Sequence, residues 1–172
     1  MFGKAKTFVR NLKGNMQKPE VYLKRVYRFS AAHRLWSPFL SEEENRKVYG
    51  KCSNPKGHGH NYILEITVKG VVDSKTGRVV SPEKLDQIVY EKILFPWDHK
   101  NLDEEVFDFQ EKLSTGENMA QIVWEKLYGS LPNVALVSVK VSETSKAFFE
   151  YYGVQKSLLN LEENVQKVEA LP

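Results

Sequence analysis

Two stretches of this 172-residue chain alternate in polarity residue by residue, and no other feature restricts the fold as much. From Val21 to His33, one phase holds Leu23, Tyr27, Phe29, Ala31 and His33, and the other holds Tyr22, Lys24, Arg28 and Ser30. From about His60 to Val72, His60, Tyr62, Leu64, Ile66 and Val68 oppose Asn61, Glu65, Thr67 and Lys69. A period of two marks a strand with one buried face. A further segment after Pro132-Asn133 puts Ala135, Val137, Val139, Val141 and Glu143 in one phase.

Helical patterns separate these strands. Ser81-Pro82 supplies an N-cap and a first-turn proline, and Leu85, Ile88, Val89 and Ile93 follow until Phe95-Pro96 is read to stop the helix. A second helix opens at Ser114 or Thr115, where Ser114 and Glu117 have capping-box spacing, and carries Met119, Ile122, Val123 and Leu127. Ser41 to Glu44 is another capping box, opening a short helix that Gly50 ends. Arg78 to Val80 reads as the return strand of a hairpin, and Trp97 to Asp103 as a polar loop. The expectation is an α+β domain whose antiparallel sheet has helices on one face only. Its uncovered surface and edges then need burial by other subunits.

Composition narrows the function classes. No apolar run approaches the ~20 residues that span a bilayer. The net charge is +3 with scattered lysines, which does not suggest nucleic-acid binding. A single cysteine excludes an internal disulfide and fits a reducing, cytoplasmic setting. Residues 1–20 are basic: Lys4, Lys6, Arg10, Lys13 and Lys18 appear without an acidic residue before Glu20. They are read as an extension, in preference to a mitochondrial targeting segment richer in Arg and Ser. Residues 153–172 form a second extension, in which Leu158, Leu161, Val165 and Val168 have helical spacing; a short helix and a frayed end both fit.

The polar exceptions to the strand pattern carry the chemistry. His33 closes the apolar phase of the first strand, His60 opens that of the second, and Glu143 closes that of the last. Neighbouring antiparallel strands bring such ends together. His58 and His60, at i and i+2, project from one side of an extended chain. Three neutral imidazoles at His33, His58 and His60 hold Zn²⁺ with its fourth position open, as a catalytic site requires. The plainer alternative for His33 is a core histidine bonded to a carbonyl. Cys52 lies just upstream, across a Pro-Lys-Gly turn. Near a dication its thiolate could serve as base or nucleophile, or it could be a fourth ligand that closes the site. Asp98-His99 has the makings of a proton relay, though a polar loop often contains both. A carboxylate at a buried strand end needs a partner, and the guanidine-like edge of a pterin or guanine offers Glu143 two parallel donors. Glu117 is read first as a capping residue and second as ligand-facing.

Four segments then resemble the eukaryotic 6-pyruvoyl-tetrahydropterin synthase family, in the family's order: Ser30 to Leu35, Gly50 to Tyr62, Pro96 to Asp103 and Val141 to Thr144. The resemblance runs from about Leu23 to Tyr151, within a domain of residues 21–152. It implies the tunnelling fold, a four-stranded antiparallel sheet backed by two helices. Three subunits join their sheets into a β-barrel, two rings stack into a homohexamer, and the sites lie between subunits. It also implies that His33, His58 and His60 bind Zn²⁺, that Cys52, Asp98 and His99 move protons, and that Glu143 anchors a pterin with Thr115, Gly116 and Glu117 beside it. The implied reaction converts 7,8-dihydroneopterin triphosphate to 6-pyruvoyl-tetrahydropterin, with Mg²⁺ a suitable companion for the triphosphate. Related sequences often read Thr-Thr where this one has Thr115-Gly116. The five-residue spacer between Cys52 and His58 favours the pyruvoyl enzyme over bacterial 6-carboxy-tetrahydropterin relatives. The alternatives are 6-carboxy-tetrahydropterin or 6-hydroxymethylpterin production, or a non-catalytic module closed by Cys52.

Overall fold

The alternating segments become the two longest strands, β1 (Glu20–His33) and β2 (His58–Val71), paired antiparallel from Glu20↔Val71 to His33↔His58. These come from a computed structural model, which describes residues 19–154. Between them, helix α1 (Glu42–Tyr49) has the expected capping box at Ser41 and ends at Gly50, whose φ is 54°. A single 3₁₀ turn, Gly50–Ser53, follows it. Helix α2 (Pro82–Val89) starts at the Ser81 cap. Two short helices, α3 (Phe95–Trp97) and α4 (Leu102–Glu105), then flank a two-residue strand, β3 (Lys100–Asn101). Helix α5 (Gly116–Leu127) precedes β4 (Ala135–Ser142), which pairs with the far side of β2, and β5 (Phe148–Tyr151) returns along β4.

Leu85, Val89 and Ile93 from one helical run, and Met119, Val123 and Leu127 from the other, pack on Tyr62, Leu64, Ile66, Val139 and Val141 of the sheet. The opposite face is uncovered in the single chain. Tyr22 and Val26 are exposed there, and an ion-pair chain runs from Lys24 through Glu65 to Lys140. Among the described residues no helix is long and apolar enough to cross a membrane.

Five strands form the sheet, in the order β3-β1-β2-β4-β5, where four were expected. The addition comes from the short pieces. Strand β3 runs parallel to β1, and β5 is reached through a turn in which Thr144 Oγ1 accepts from the amides of Lys146 and Ala147. Segments this brief carry too few residues to show a period.

Three further expectations are corrected. Arg78 to Val80 is not a strand, because the Asp73 turn closes with Asp73 N–H donating to Arg78 O and Ser81 already caps α2. Pro96 does not stop the helix. A π turn at Tyr90–Leu94 widens the ladder ahead of it, and α3 carries the chain on to Asp98. Trp97 is therefore no loop residue: it is fully buried, edge-on to Phe29, and donates to Asp108 at 2.9 Å. Finally, the single phase expected from Ala135 to Glu143 breaks at a bulge opposite Thr67/Val68, beyond which Leu136 pairs with Val68. The Leu158 to Val168 rhythm, and most of the two extensions, lie outside the described residues.

Candidate metal and ligand site

The β1/β2 register sets His33 opposite His58, with His60 opposite Ala31 two pairs further along. Ligand atoms from all three histidines lie within 4.8 Å of one another. His33 Nδ1 is 2.8 Å from the Ser114 carbonyl, which can only accept. The proton is thereby held on Nδ1, and Nε2 keeps its lone pair. That Nε2 faces His58 Nε2 at 3.1 Å. Among the described residues, buried His58 Nδ1 and His60 Nε2 have no partner. Burial pushes the pKa of His33 down, and burial followed by the charge of His58 does the same to His60.

Both effects favour the neutral imidazole that binds metal. The carbonyl bond foreseen as the plainer fate of His33 is thus present and, by fixing the tautomer, also suits a ligand. Three imidazole donors, with a buried nitrogen left unpartnered, fit a Zn²⁺ ion.

The loop before His58 is tight for a reason. Gly57 sits at φ 65°, and a Cβ there would stand 2.8 Å from the His33 carbonyl oxygen, so only glycine lets the chain approach β1. Cys52, in the 3₁₀ turn, is half-buried and free, and its carbonyl accepts from Leu35 N–H at 2.9 Å. It is held beside the end of β1, yet its sulfur is not one of the clustered ligand atoms.

Asp98 and His99 form the pair read from the sequence, with His99 Nδ1 3.0 Å from Asp98 Oδ1. They are also anchored: Ser30 N–H donates to Asp98 Oδ1 at 2.8 Å, and His99 N–H donates to Ser30 O at 2.6 Å. The His99 side chain is 81% exposed at the β1 edge and is not part of the histidine group.

Glu143 follows the last residue of β4 and is half-buried. Burial first, and then the charge of Glu117, push its carboxyl pKa up. No hydrogen bond or cation among the described residues offsets this, so the carboxylate is poised for a donor from outside. The capping box expected for α5 is corrected here. Thr115 is the cap, its hydroxyl accepting from Asn118 N–H at 3.4 Å, while Ser114 is buried against His33. Glu117 therefore falls one position short of the capping-box place and is exposed beside Glu143.

Gly116 is buried, and a Cβ on it would run into the Phe149 ring. The phenylalanine fills the space a larger residue would need. Gly116→Thr is expected to cost about 1–3 kcal/mol of stability through overpacking, measured by urea denaturation. Adding Phe149→Ala should make the double variant less unstable than the sum of the single changes.

Three contributors were not singled out from the sequence. Ser114 holds His33, Asp103 accepts from Arg34 N–H at 2.6 Å, and Tyr62 lies fully buried beside the histidines with its hydroxyl unpartnered. Burial, followed by the charges of Glu143, Asp103 and Cys52, pushes the Tyr62 phenol well above its ordinary pKa. For Asp103 its place after Asp98-His99 was the only signal; Ser114 works through its backbone and gave none.

A family model described as 6-pyruvoyl tetrahydropterin synthase matches residues 5–154. The chain belongs to this family. The 6-pyruvoyl tetrahydrobiopterin synthase of Poecilia reticulata is 46% identical over 132 residues, covering 77% of this chain and 90% of that protein. The human protein of the same name is 45% identical over 140 residues, covering 81% and 97%. The solved 6-pyruvoyl tetrahydropterin synthase of Caenorhabditis elegans superposes with a TM-score of 0.75 at 42% identity, covering 80% of this chain and 98% of that one. The α+β tunnelling fold expected from the resemblance is the fold of this family member too, with five strands in place of four.

Proposed function

We propose that this family member converts 7,8-dihydroneopterin triphosphate to 6-pyruvoyl-tetrahydropterin with release of triphosphate, in tetrahydrobiopterin biosynthesis. The observation that carries this reading is the group of three imidazoles brought together at the ends of β1 and β2. His33, His58 and His60 would hold Zn²⁺, which when bound supplies Lewis-acid polarisation of the substrate's side-chain oxygens. Glu143 receives the donors of the pterin edge, with Thr115, Gly116 and Glu117 alongside. Cys52 takes a proton from the substrate side chain as general base. His99, oriented by Asp98, passes protons on. The net change is an internal redox rearrangement with loss of triphosphate, so no external hydride carrier is needed. Mg²⁺ would accompany the triphosphate.

His99 faces solvent in the single chain, and the sheet's outer face and both edges are open. These features support assembly of subunits into a barrel and then a homohexamer, with His99 acting across a subunit boundary. A reducing cytoplasmic setting would keep Cys52 as a thiol.

The second reading is a related pterin activity at the same histidine group. Incubation with 7,8-dihydroneopterin triphosphate, followed by product identification, separates the two. The expected products are 6-pyruvoyl-tetrahydropterin and free triphosphate, with formation falling to background after chelation and returning with Zn²⁺. Recovery of 6-carboxy-tetrahydropterin or 6-hydroxymethylpterin would overturn the first reading.

A further inference from the structure

Tyr62 is fully buried, and its ring stacks on Phe29 at 4.9 Å with an interplanar angle of 14°. It meets the His60 ring edge-on at 5.5 Å and the His33 ring at 6.2 Å. A phenylalanine would make the same stack. The hydroxyl is what distinguishes tyrosine, and among the described residues it has no hydrogen-bond partner. A buried hydroxyl without a partner is costly, and native structures leave few. His60 Nε2 shares this condition. Residues 60 and 62 stand on the same face of β2, so the rings that carry these two unpartnered groups are neighbours. After burial, the charges of Glu143, Asp103 and Cys52 hold the phenol in its protonated, donating form. The tyrosine thus packs against two of the three residues assigned above to the metal.

We propose that the Tyr62 hydroxyl is a ligand-binding contact, donating a hydrogen bond to a side-chain oxygen of a pterin held at the three histidines. The inference rests on the pterin reading above and adds a residue to it. The donor selects for a pterin carrying an oxygenated substituent at the ring's C6 position, since a bare pterin places no oxygen there to accept the bond.

Tyr62→Phe tests this, because it keeps the ring stack and removes only the oxygen. Affinities for neopterin, which carries side-chain hydroxyls, and for unsubstituted pterin are measured by fluorescence titration on the zinc-loaded protein. Neopterin binding is expected to weaken about tenfold while pterin binding stays unchanged. Zinc content should be retained and the melting temperature should not fall, since an unpartnered hydroxyl has been removed. Unchanged neopterin affinity, or equal losses for both pterins, overturns the assignment alone, and so does loss of zinc from the variant. If the unsubstituted protein binds neither pterin, the pterin reading itself fails and takes this inference with it.

Discussion

Replacing Cys52 with alanine is expected to lower turnover of 7,8-dihydroneopterin triphosphate by about 10²–10⁴-fold, the usual contribution of a positioned general base. Zinc content should remain that of the unsubstituted protein. Cys52 sits in a short 3₁₀ turn, held to the segment just after β1 by the bond from Leu35 N–H, and its sulfur is not among the clustered ligand atoms. Removing the sulfur takes away a proton acceptor without opening the metal group. The residue is only half-buried, so the fold should tolerate the change. Metal analysis and turnover are read on the same preparation. A variant that keeps near-normal turnover would place the base elsewhere, and one that loses its zinc would make Cys52 a ligand.

Glu143→Gln should weaken pterin binding by about 30-fold, or about 2 kcal/mol, because hydrogen bonds to a charged acceptor are worth that much. Zinc content should not change. The same carboxyl predicts a pH effect with a definite sign. Burial and Glu117 raise its pKa in the folded chain, so the folded state holds this proton to a higher pH than the unfolded state does. Between the two values the folded state binds more protons. Stability therefore falls as pH rises through that window and levels off above it. Pterin binding needs the carboxylate, so affinity should fall on acidification, starting above the ordinary carboxylate range. Calorimetry in buffers of differing ionisation enthalpy should show proton release on binding within that window. Glu143→Gln should abolish this release; its persistence in the variant would assign the proton to another group.

Much of the site was legible because its residues sit at the ends of alternating strands. The phase of β1 put His33 on the apolar face, and that of β2 put His60 there, so their meeting followed from pairing alone. The strand lengths and the Ser41 and Ser81 caps were equally local. The start of α5 was not. Ser114 and Thr115 both suit a cap, and what decided between them was the use of the Ser114 carbonyl by His33, 81 residues away in sequence. That long-range bond also released Glu117 from its supposed capping role. Pro96 misled for a similar reason: a π turn five residues long, set by packing of Ile93 and Trp97 in the core, absorbed a residue that breaks an ideal helix.

Local pattern was enough to place the sheet's buried face and the histidines on it, while the family came from the resemblance of four motifs to known sequences. The face and its histidines depend on residue type and on periods of two or 3.6, which neighbours in the chain set between them. Folding in three dimensions was needed for the protonated nitrogen of His33, the partnerless state of Glu143 and Tyr62, the pairing of Gly116 with the Phe149 ring, and the outward place of His99. Each of these depends on which distant group arrives at a given point and how much water it displaces. Burial and hydrogen-bond satisfaction are properties of the assembled chain, and no local pattern encodes them.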